Sequence, residues 1–193
     1  AIEVGANQAV GGSLMPGTVA FQGARGAFSY EACLALRPWN EPKGYETFAE
    51  AIAAVASGEC ECGLIPVENS IVGLLPDPNR LIEEHGLKIV AEAWRPMRQM
   101  LMGQPDAKLT DLKTVESHPV ALGQCKASVA SLGLKPVEAY DTAGAAEMVA
   151  ASGDLSRAAI APAVAAEIYE LKILRADMQD SADNRTRFVV VER

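Results

Sequence analysis

Short apolar runs alternate along the chain with longer segments in which apolar residues recur at helical spacing. Residues 18–21 form such a run and predict a strand, and 28–36 follow as an amphipathic helix whose start Ser29 is expected to cap. A helix over 47–57 is predicted to begin at a Thr47 cap and to stop at Gly58. Further strands are predicted at 62–66, 87–92, 114–116, 136–140, 158–161 and 187–191, and further helices at 81–85, 119–132, 142–151 and 163–169.

A strand followed by a helix, repeated along the chain, predicts an α/β fold. Pro96 and the polar stretch 104–110 interrupt the alternation, which then restarts, so two similar α/β lobes are expected. The last strand is β-branched and is expected to return to the first lobe. The predicted parts are a flexible leader at 1–16, a first lobe at 17–95 plus 184–193, and a second lobe at 96–183.

Composition and charge argue against several classes of function. The net charge of −8, without a run of Lys or Arg, argues against nucleic-acid binding. No apolar stretch reaches the ~20 residues that span a bilayer, so no membrane role is expected. The spacing of the four cysteines fits neither a zinc site nor a redox pair, which favours free thiols in a reducing cytoplasm. With only two histidines, a histidine-based metal site is not expected either.

In the first lobe, two segments at predicted strand ends could carry chemistry, because ligand clefts of α/β proteins form there. The glycine-rich segment 23–29 leads into a helix N-terminus that could bind an anion, with an ordinary tight turn as the alternative. Glu68, Asn69 and Ser70 follow a buried strand. Their alternative interpretation is a turn in which Asn69 or Ser70 binds its own backbone.

Two further segments have the same placement in the second lobe and at the return to the first. Ser117 precedes a helix, and Gln124 lies about two helical turns further on, near enough to face the same cleft. His118 has no acidic residue placed to orient it, so a capping or solvated role is favoured over a catalytic triad. Thr186 and Arg187 stand at the start of the last strand, where they could face a ligand or simply belong to the strand.

Four sequence segments together resemble those of prephenate dehydratases, and they occur in the same order. They are V-A-F-Q-G-x-x-G-A-F-S at 19–29, G-L-I-P-V-E-N-S at 63–70, S-H-P-x-A-L-x-Q-C at 117–125 and N-x-T-R-F at 184–188. The resemblance covers about 19–191.

The chain departs from the family pattern at two places. Gln99 stands where a histidine often follows the arginine that matches Arg98, and 73–76 are less polar than usual. Neither departure removes a residue assigned to the chemistry.

The resemblance implies a fold and an activity. The fold is two α/β lobes, similar in form to the type 2 periplasmic-binding fold, with the active site in the cleft between them. The activity is conversion of prephenate, a dianion, to phenylpyruvate on the route to phenylalanine, without metal or other cofactor. Arogenate dehydratase and a two-lobed binding module without turnover are the alternatives. A cytoplasmic homodimer or homotetramer is expected, without the C-terminal regulatory module that binds phenylalanine in family members.

The resemblance also implies roles for individual residues. Thr186 is expected to act as the hydrogen-bond donor to the departing hydroxyl group, and Glu68 is a second catalytic candidate. The expected substrate-binding residues are Ala27, Phe28, Ser29, Asn69, Ser70, Ser117, Gln124 and Arg187.

Overall fold

The computed structural model describes residues 17–193 and has two β-sheets flanked by helices. The predicted α/β class is therefore confirmed, whereas the predicted leader at 1–16 lies outside the described residues. The first sheet contains β1 (Thr18–Gln22), β2 (Glu41–Tyr45), β3 (Cys62–Asn69), β4 (Gly73–Leu74), β5 (Lys88–Pro96) and β11 (Arg185–Glu192). The second sheet contains β6 (Met100–Gly103), β7 (Thr114–Ser117), β8 (Lys135–Glu138), β9 (Arg157–Ala161) and β10 (Lys172–Arg175). The helices are α1 (Phe28–Leu36), α2 (Phe48–Ser57), α3 (Pro76–Glu84), α4 (Pro119–Gln124), α5 (Lys126–Ser131), α6 (Thr142–Ser152) and α7 (Ala163–Tyr169).

Both sheets combine parallel and antiparallel strands. The first has the order β2-β1-β3-β11-β5, with β4 also paired to β3, and the second has the order β10-β6-β9-β7-β8. Strand β11 pairs antiparallel with both β3 and β5, which confirms that the last strand returns to the first sheet. Within the described residues the chain therefore passes between the sheets twice, once after β5 and once before β11.

The two faces of the first sheet are buried by different helices. On one face Ile52 and Val55 of α2 pack with Ile65 and Val189. On the other face α1 covers a cluster of buried apolar residues that includes Phe188. Because successive residues of a strand point to opposite faces, the apolar run 188–191 of β11 packs into the clusters on both faces of the sheet.

Several predicted elements are confirmed and others need correction. Thr47 accepts a hydrogen bond from the Glu50 amide at 3.1 Å, and Gly58 ends α2 in the left-handed conformation, as predicted. The capping role of Ser29 is wrong. Ala27 is the N-cap of α1 and Ser29 lies inside the helix, and because alanine has no side-chain acceptor, no side chain among the described residues caps α1.

Strands β2, β4, β6 and β10 are absent from the sequence prediction. Strand β2 contains a proline and a glycine and yet pairs in parallel with all five residues of β1. Strand β6 is a fully buried apolar run that follows the interruption at Pro96. Pairing with neighbouring strands, rather than local propensity, makes these segments strands.

The single helix predicted at 119–132 is two helices that meet at Cys125. Asp180, in the segment between β10 and β11, binds both sides of the break. Its amide donates to the Gln124 carbonyl at 2.7 Å, and its carboxylate accepts from the Ala127 amide at 3.2 Å. The break is therefore supported by a contact between residues more than fifty positions apart, which the local sequence pattern does not contain.

No helix in residues 17–193 has both the length and the apolar character required to cross a bilayer.

Candidate active site

A cavity of about 710 Å³ opens between the two sheets. Its walls are formed by the carboxyl ends of β1 and β2 with the segments that follow them in the first sheet, and by the segments that follow β7 and β8 in the second. Met97 and Gln99, from the first crossing between the sheets, complete the lining. The cavity thus lies at the carboxyl ends of parallel strand pairs, where ligands of α/β proteins bind.

On the first-sheet side, the wall is the start of α1. Ala27, Phe28 and Ser29 all line the cavity, as expected for substrate-binding residues, although their contact with a substrate stays a prediction. Gly23 and Gly26 have positive φ angles of 127° and 96°, which residues with a Cβ rarely adopt, so the tight turn into the helix depends on glycine. Because no side chain in residues 17–193 caps α1, the N–H groups of its first turn are left for an anion.

On the second-sheet side, the wall includes His118 and Gln124. The Val120 amide donates to His118 Nδ1 at 3.1 Å, so His118 caps α4, in agreement with the capping role favoured by the sequence. A ring nitrogen that accepts a hydrogen bond carries no proton, and the ring proton is therefore on Nε2. Gln124 accepts a hydrogen bond from Gln99 Nε2 at 3.0 Å.

A second cluster of predicted site residues lies where β3 ends and β11 begins. Thr186 is buried, and its Oγ1 accepts a hydrogen bond from Asn69 Nδ2 at 3.2 Å. The same amide nitrogen lies 2.9 Å from Asn184 Oδ1. Because the Thr186 oxygen accepts from Asn69, its hydroxyl proton remains available for donation to another group.

Asn69 and Ser70 also hold the backbone at this end of the sheet. Asn69 Oδ1 accepts from the Ile71 amide at 2.9 Å, so the capped turn considered from the sequence is present. Ser70 Oγ donates to the Asp183 carbonyl at 2.6 Å and accepts from the Arg185 amide at 2.9 Å. These bonds fasten the start of β11 to the end of β3.

Arg187 and Thr186 point to opposite faces of the sheet, because they are successive residues of one strand. Arg187 Nε donates to Glu68 Oε2 at 3.0 Å, and its Nη1 donates to Glu92 Oε2 at 3.1 Å. The guanidinium is thus paired with two carboxylates of the neighbouring strands. The structure does not bring Arg187 to the same face as Thr186.

Ser117 is fully buried at the end of β7, and its hydroxyl donates to the Ile160 carbonyl at 2.7 Å. Of the ten predicted site residues, the described cavity wall holds Ala27, Phe28, Ser29 and Gln124. The other six lie outside that wall, so their contact with a substrate stays a prediction.

The sequence prediction missed other residues of the cavity wall. Tyr45 is the last residue of β2 and Glu46 follows it, and Tyr140 and Asp141 follow β8. The strand-end rule could have found the second pair, since a strand was predicted at 136–140. It could not have found the first pair, because β2 itself was not predicted.

The cysteines do not contribute a reactive group to this wall. Burial raises the pKa of Cys33 and of Cys125 to about 12, so both thiols are protonated near neutral pH. All four cysteines are free and buried.

Comparison with known families identifies the family to which the chain belongs. The model of the family described as prephenate dehydratase matches residues 19–193. The chain belongs to the prephenate dehydratase family. The resemblance found in the four sequence segments is thereby confirmed.

Two relatives are similar to nearly the whole of this chain but are themselves longer. A bifunctional N-acyl-homoserine lactone acylase/prephenate dehydratase of Komagataeibacter europaeus is 42% identical over 175 residues, covering 91% of this chain and 62% of the relative. An arogenate dehydratase/prephenate dehydratase of Arabidopsis thaliana is 40% identical over 175 residues, covering 91% of this chain and 45% of the relative. The chain thus spans less than two thirds of the length of these relatives.

A solved structure shares the fold of this prephenate dehydratase family member. The prephenate dehydratase of Arthrobacter aurescens, determined in complex with L-Phe, is 29% identical. The match has a TM-score of 0.79 and covers 91% of this chain and 60% of that protein.

Proposed function

We propose that this protein is a prephenate dehydratase that converts prephenate to phenylpyruvate, carbon dioxide and water. The observation that carries the proposal is the family match over 19–193 in a chain whose two sheets enclose a cavity of about 710 Å³. That volume is in the range of small-molecule sites. The uncapped start of α1 and the amide of Gln124 supply hydrogen-bond donors for a substrate with two carboxylates.

The chemistry requires positioning and a proton donor. The ring carboxylate leaves as carbon dioxide, its bonding electrons enter the ring, and the ring hydroxyl departs with a proton as water, which leaves an aromatic ring. No electrons are exchanged with a second reactant, so the reaction needs no redox partner. A donor to the departing oxygen lowers the barrier, and Thr186 is the proposed donor, with Asn69 holding its oxygen.

Asn69, Ser117 and Gln124 are proposed to orient the substrate, Ser70 to support this end of the site, and Arg187 with the α1 amides to hold carboxylates. Glu68 is proposed as a second catalytic group. Binding of substrate by Arg187 would require exchange of at least one of its bonds to Glu68 and Glu92.

The decisive experiment measures ultraviolet absorbance while the purified protein is mixed with prephenate, with and without a chelator. We expect phenylpyruvate to form in both cases. Binding of prephenate without turnover would instead support the two-lobed binding module. Activity that a chelator abolishes and a divalent ion restores would contradict cofactor-free catalysis.

Arogenate is the second candidate substrate, because the Arabidopsis relative is named as both an arogenate and a prephenate dehydratase. Arogenate carries an amino group where prephenate carries a keto group. We expect a higher kcat/KM for prephenate in a direct competition assay with product analysis. A higher value for arogenate would reassign the substrate without changing the reaction class.

We further propose that each sheet forms the core of one lobe, with boundaries at 95/96 and 183/184, and that the protein is a cytoplasmic homodimer or homotetramer. Strand β5 supports assembly, since it is an edge strand of the first sheet among the described residues, and Ile89, Val90 and Trp94 are exposed on it. Four free buried thiols fit a reducing compartment. Light scattering tests the assembly and cell fractionation tests the location.

A further inference from the structure

Gln99 is a buried amide on the wall of the cavity, with only 2% of its surface exposed. Its backbone is fixed on both sides by the second crossing between the sheets. The backbone N–H of Gln99 donates to Gln179 Oε1 at 2.8 Å, and the backbone carbonyl of Gln99 accepts from the backbone N–H of Met178 at 2.8 Å. The side chain therefore projects from a rigid base.

The side chain of Gln99 has one partner and one unpaired atom. Its Nε2 donates to Gln124 Oε1 at 3.0 Å, whereas its Oε1 is buried without a partner among the described residues. The opposite orientation of the amide would bury an unpaired NH₂ group in place of the carbonyl oxygen. A buried carbonyl without a partner is tolerated more readily than buried N–H groups without partners, so the first orientation is favoured.

This bond determines which end of Gln124 can serve a ligand. Gln124 lines the cavity, and its side-chain oxygen is already engaged by Gln99. Its NH₂ group, which only donates hydrogen bonds, is the group left for the cavity. The backbone of Gln124 is also held, because the Asp180 amide donates to its carbonyl at 2.7 Å.

We propose that Gln99 is a positioning residue that holds the Gln124 amide with its NH₂ group toward the substrate, where it donates to a carboxylate oxygen. This inference rests on the proposed function and specifies how one wall of that site recognises the substrate. Gln99 acts through Gln124 and has no contact with the substrate of its own. Without Gln99, the Gln124 amide can rotate and present its oxygen, which repels a carboxylate.

The test is a double-mutant cycle of Gln99→Met and Gln124→Met, with methionine chosen because it retains length without the amide. We expect Gln124→Met to raise KM for prephenate about tenfold, as for loss of a hydrogen bond to a charged group, and Gln99→Met to raise it by a smaller factor, roughly threefold. We expect kcat to change less than KM in both variants. In the Gln124→Met background, Gln99→Met should have no further effect on KM.

Gln104→Met is the matched control. Gln104 is another partly buried glutamine, and its Nε2 donates to the Val149 carbonyl at 2.7 Å, away from the described cavity wall. Loss of this bond should lower stability and leave KM unchanged. A folded Gln99→Met protein with wild-type KM, or additive effects of the two cavity substitutions, would overturn the inference.

Calorimetric binding of prephenate separates this inference from the proposed function. If wild-type protein binds prephenate but turns over neither prephenate nor arogenate, the proposed function fails, and the double-mutant cycle is then evaluated with the dissociation constants for prephenate. Wild-type protein that neither binds nor turns over overturns both.

Discussion

At the scale of single residues, Asn69 combines a structural bond and a bond to the proposed donor. Its Oδ1 accepts from the backbone of the following turn, while its Nδ2 reaches Thr186 Oγ1. The two ends of one amide therefore connect the turn after β3 to the start of β11. A substitution that keeps the side-chain oxygen of Asn69 and removes its NH₂ group separates the bond to the turn from the bond to Thr186.

Thr186→Val is expected to lower kcat by about 10²–10³, the loss typical of removing a preorganised donor, with KM changed only a few-fold. Valine keeps the β-branched shape that the strand favours and removes only the hydroxyl. Thr186→Ser should retain more activity, because it keeps the donor. The measurement is steady-state kinetics on prephenate. Near-normal kcat in a folded Thr186→Val protein would mean that Thr186 is a packing residue.

Asn69→Asp is expected to preserve the turn and impair catalysis. A carboxylate can still accept from the Ile71 amide, but it cannot donate to Thr186 Oγ1. We expect kcat to fall by about tenfold or more. The thermal midpoint should also fall, because Nδ2 of Asn69 donates to Asn184 Oδ1 at 2.9 Å and to the Arg185 carbonyl at 3.1 Å, and a carboxylate loses both bonds. Circular dichroism melting and kinetics on the same preparation check both parts. Unchanged kcat would show that the bond to Thr186 has no role in the reaction.

At the scale of elements, glycine has different effects in a packed strand and in an open helix. A Cβ on Gly63 of β3 would lie 2.9 Å from Val55 Cγ2 and 3.1 Å from Val191 Cγ2. A Cβ on Gly123 of α4 would meet no atom within 4 Å among the described residues. Substitution of Gly63 by alanine therefore tests the packing between α2, β3 and β11, and the same substitution at Gly123 is the matched control at an open position.

Gly63→Ala is expected to lower the free energy of unfolding by about 1–3 kcal/mol, because both valines must shift in a packed core. Gly123→Ala should leave the free energy of unfolding unchanged or raise it by up to about 1 kcal/mol, since alanine is the better helix former. Urea unfolding of both variants provides the comparison. Equal destabilisation by the two substitutions would contradict the packing described for β3.

At the scale of the whole molecule, the two crossings between the sheets are joined to each other. Arg98 in the first crossing donates to both carboxylate oxygens of Asp177 in the second, at 2.8 and 2.9 Å. The bonds of Gln99 to 178–179 lie beside this ion pair. These contacts connect the two segments that link the sheets.

The Arg98 guanidinium lowers the pKa of Asp177 to about 2. A carboxylate with a lowered pKa stabilises the fold above its ordinary pKa, and this contribution is lost as the pH falls from about 4 toward 2. Asp177→Asn should therefore reduce the free energy of unfolding at pH 7 by less than about 1 kcal/mol, because both partners are about half exposed. Asparagine tolerates the positive φ of 58° at this position, so the variant isolates the charge.

The measurement for Asp177→Asn is urea unfolding of wild type and variant at pH 7 and at pH 3. The difference between the two proteins should shrink as the pH is lowered. A difference of the same size at both pH values would show that the charge of Asp177 is not its cause.

The α/β class, the limits of α2 and the return of the last strand followed from the sequence, because strong apolar periodicity, a threonine cap and a glycine stop act locally. The break at Cys125 and strands β2 and β6 depended on the tertiary structure, since they are formed by partners distant in the chain. The same holds for the site. Sequence segments indicated Gln124 and Thr186, but only the fold pairs Gln99 with Gln124 and Arg187 with Glu68 and Glu92. Hydrogen-bond partners depend on which strands and crossings become neighbours, and local propensity does not encode that arrangement.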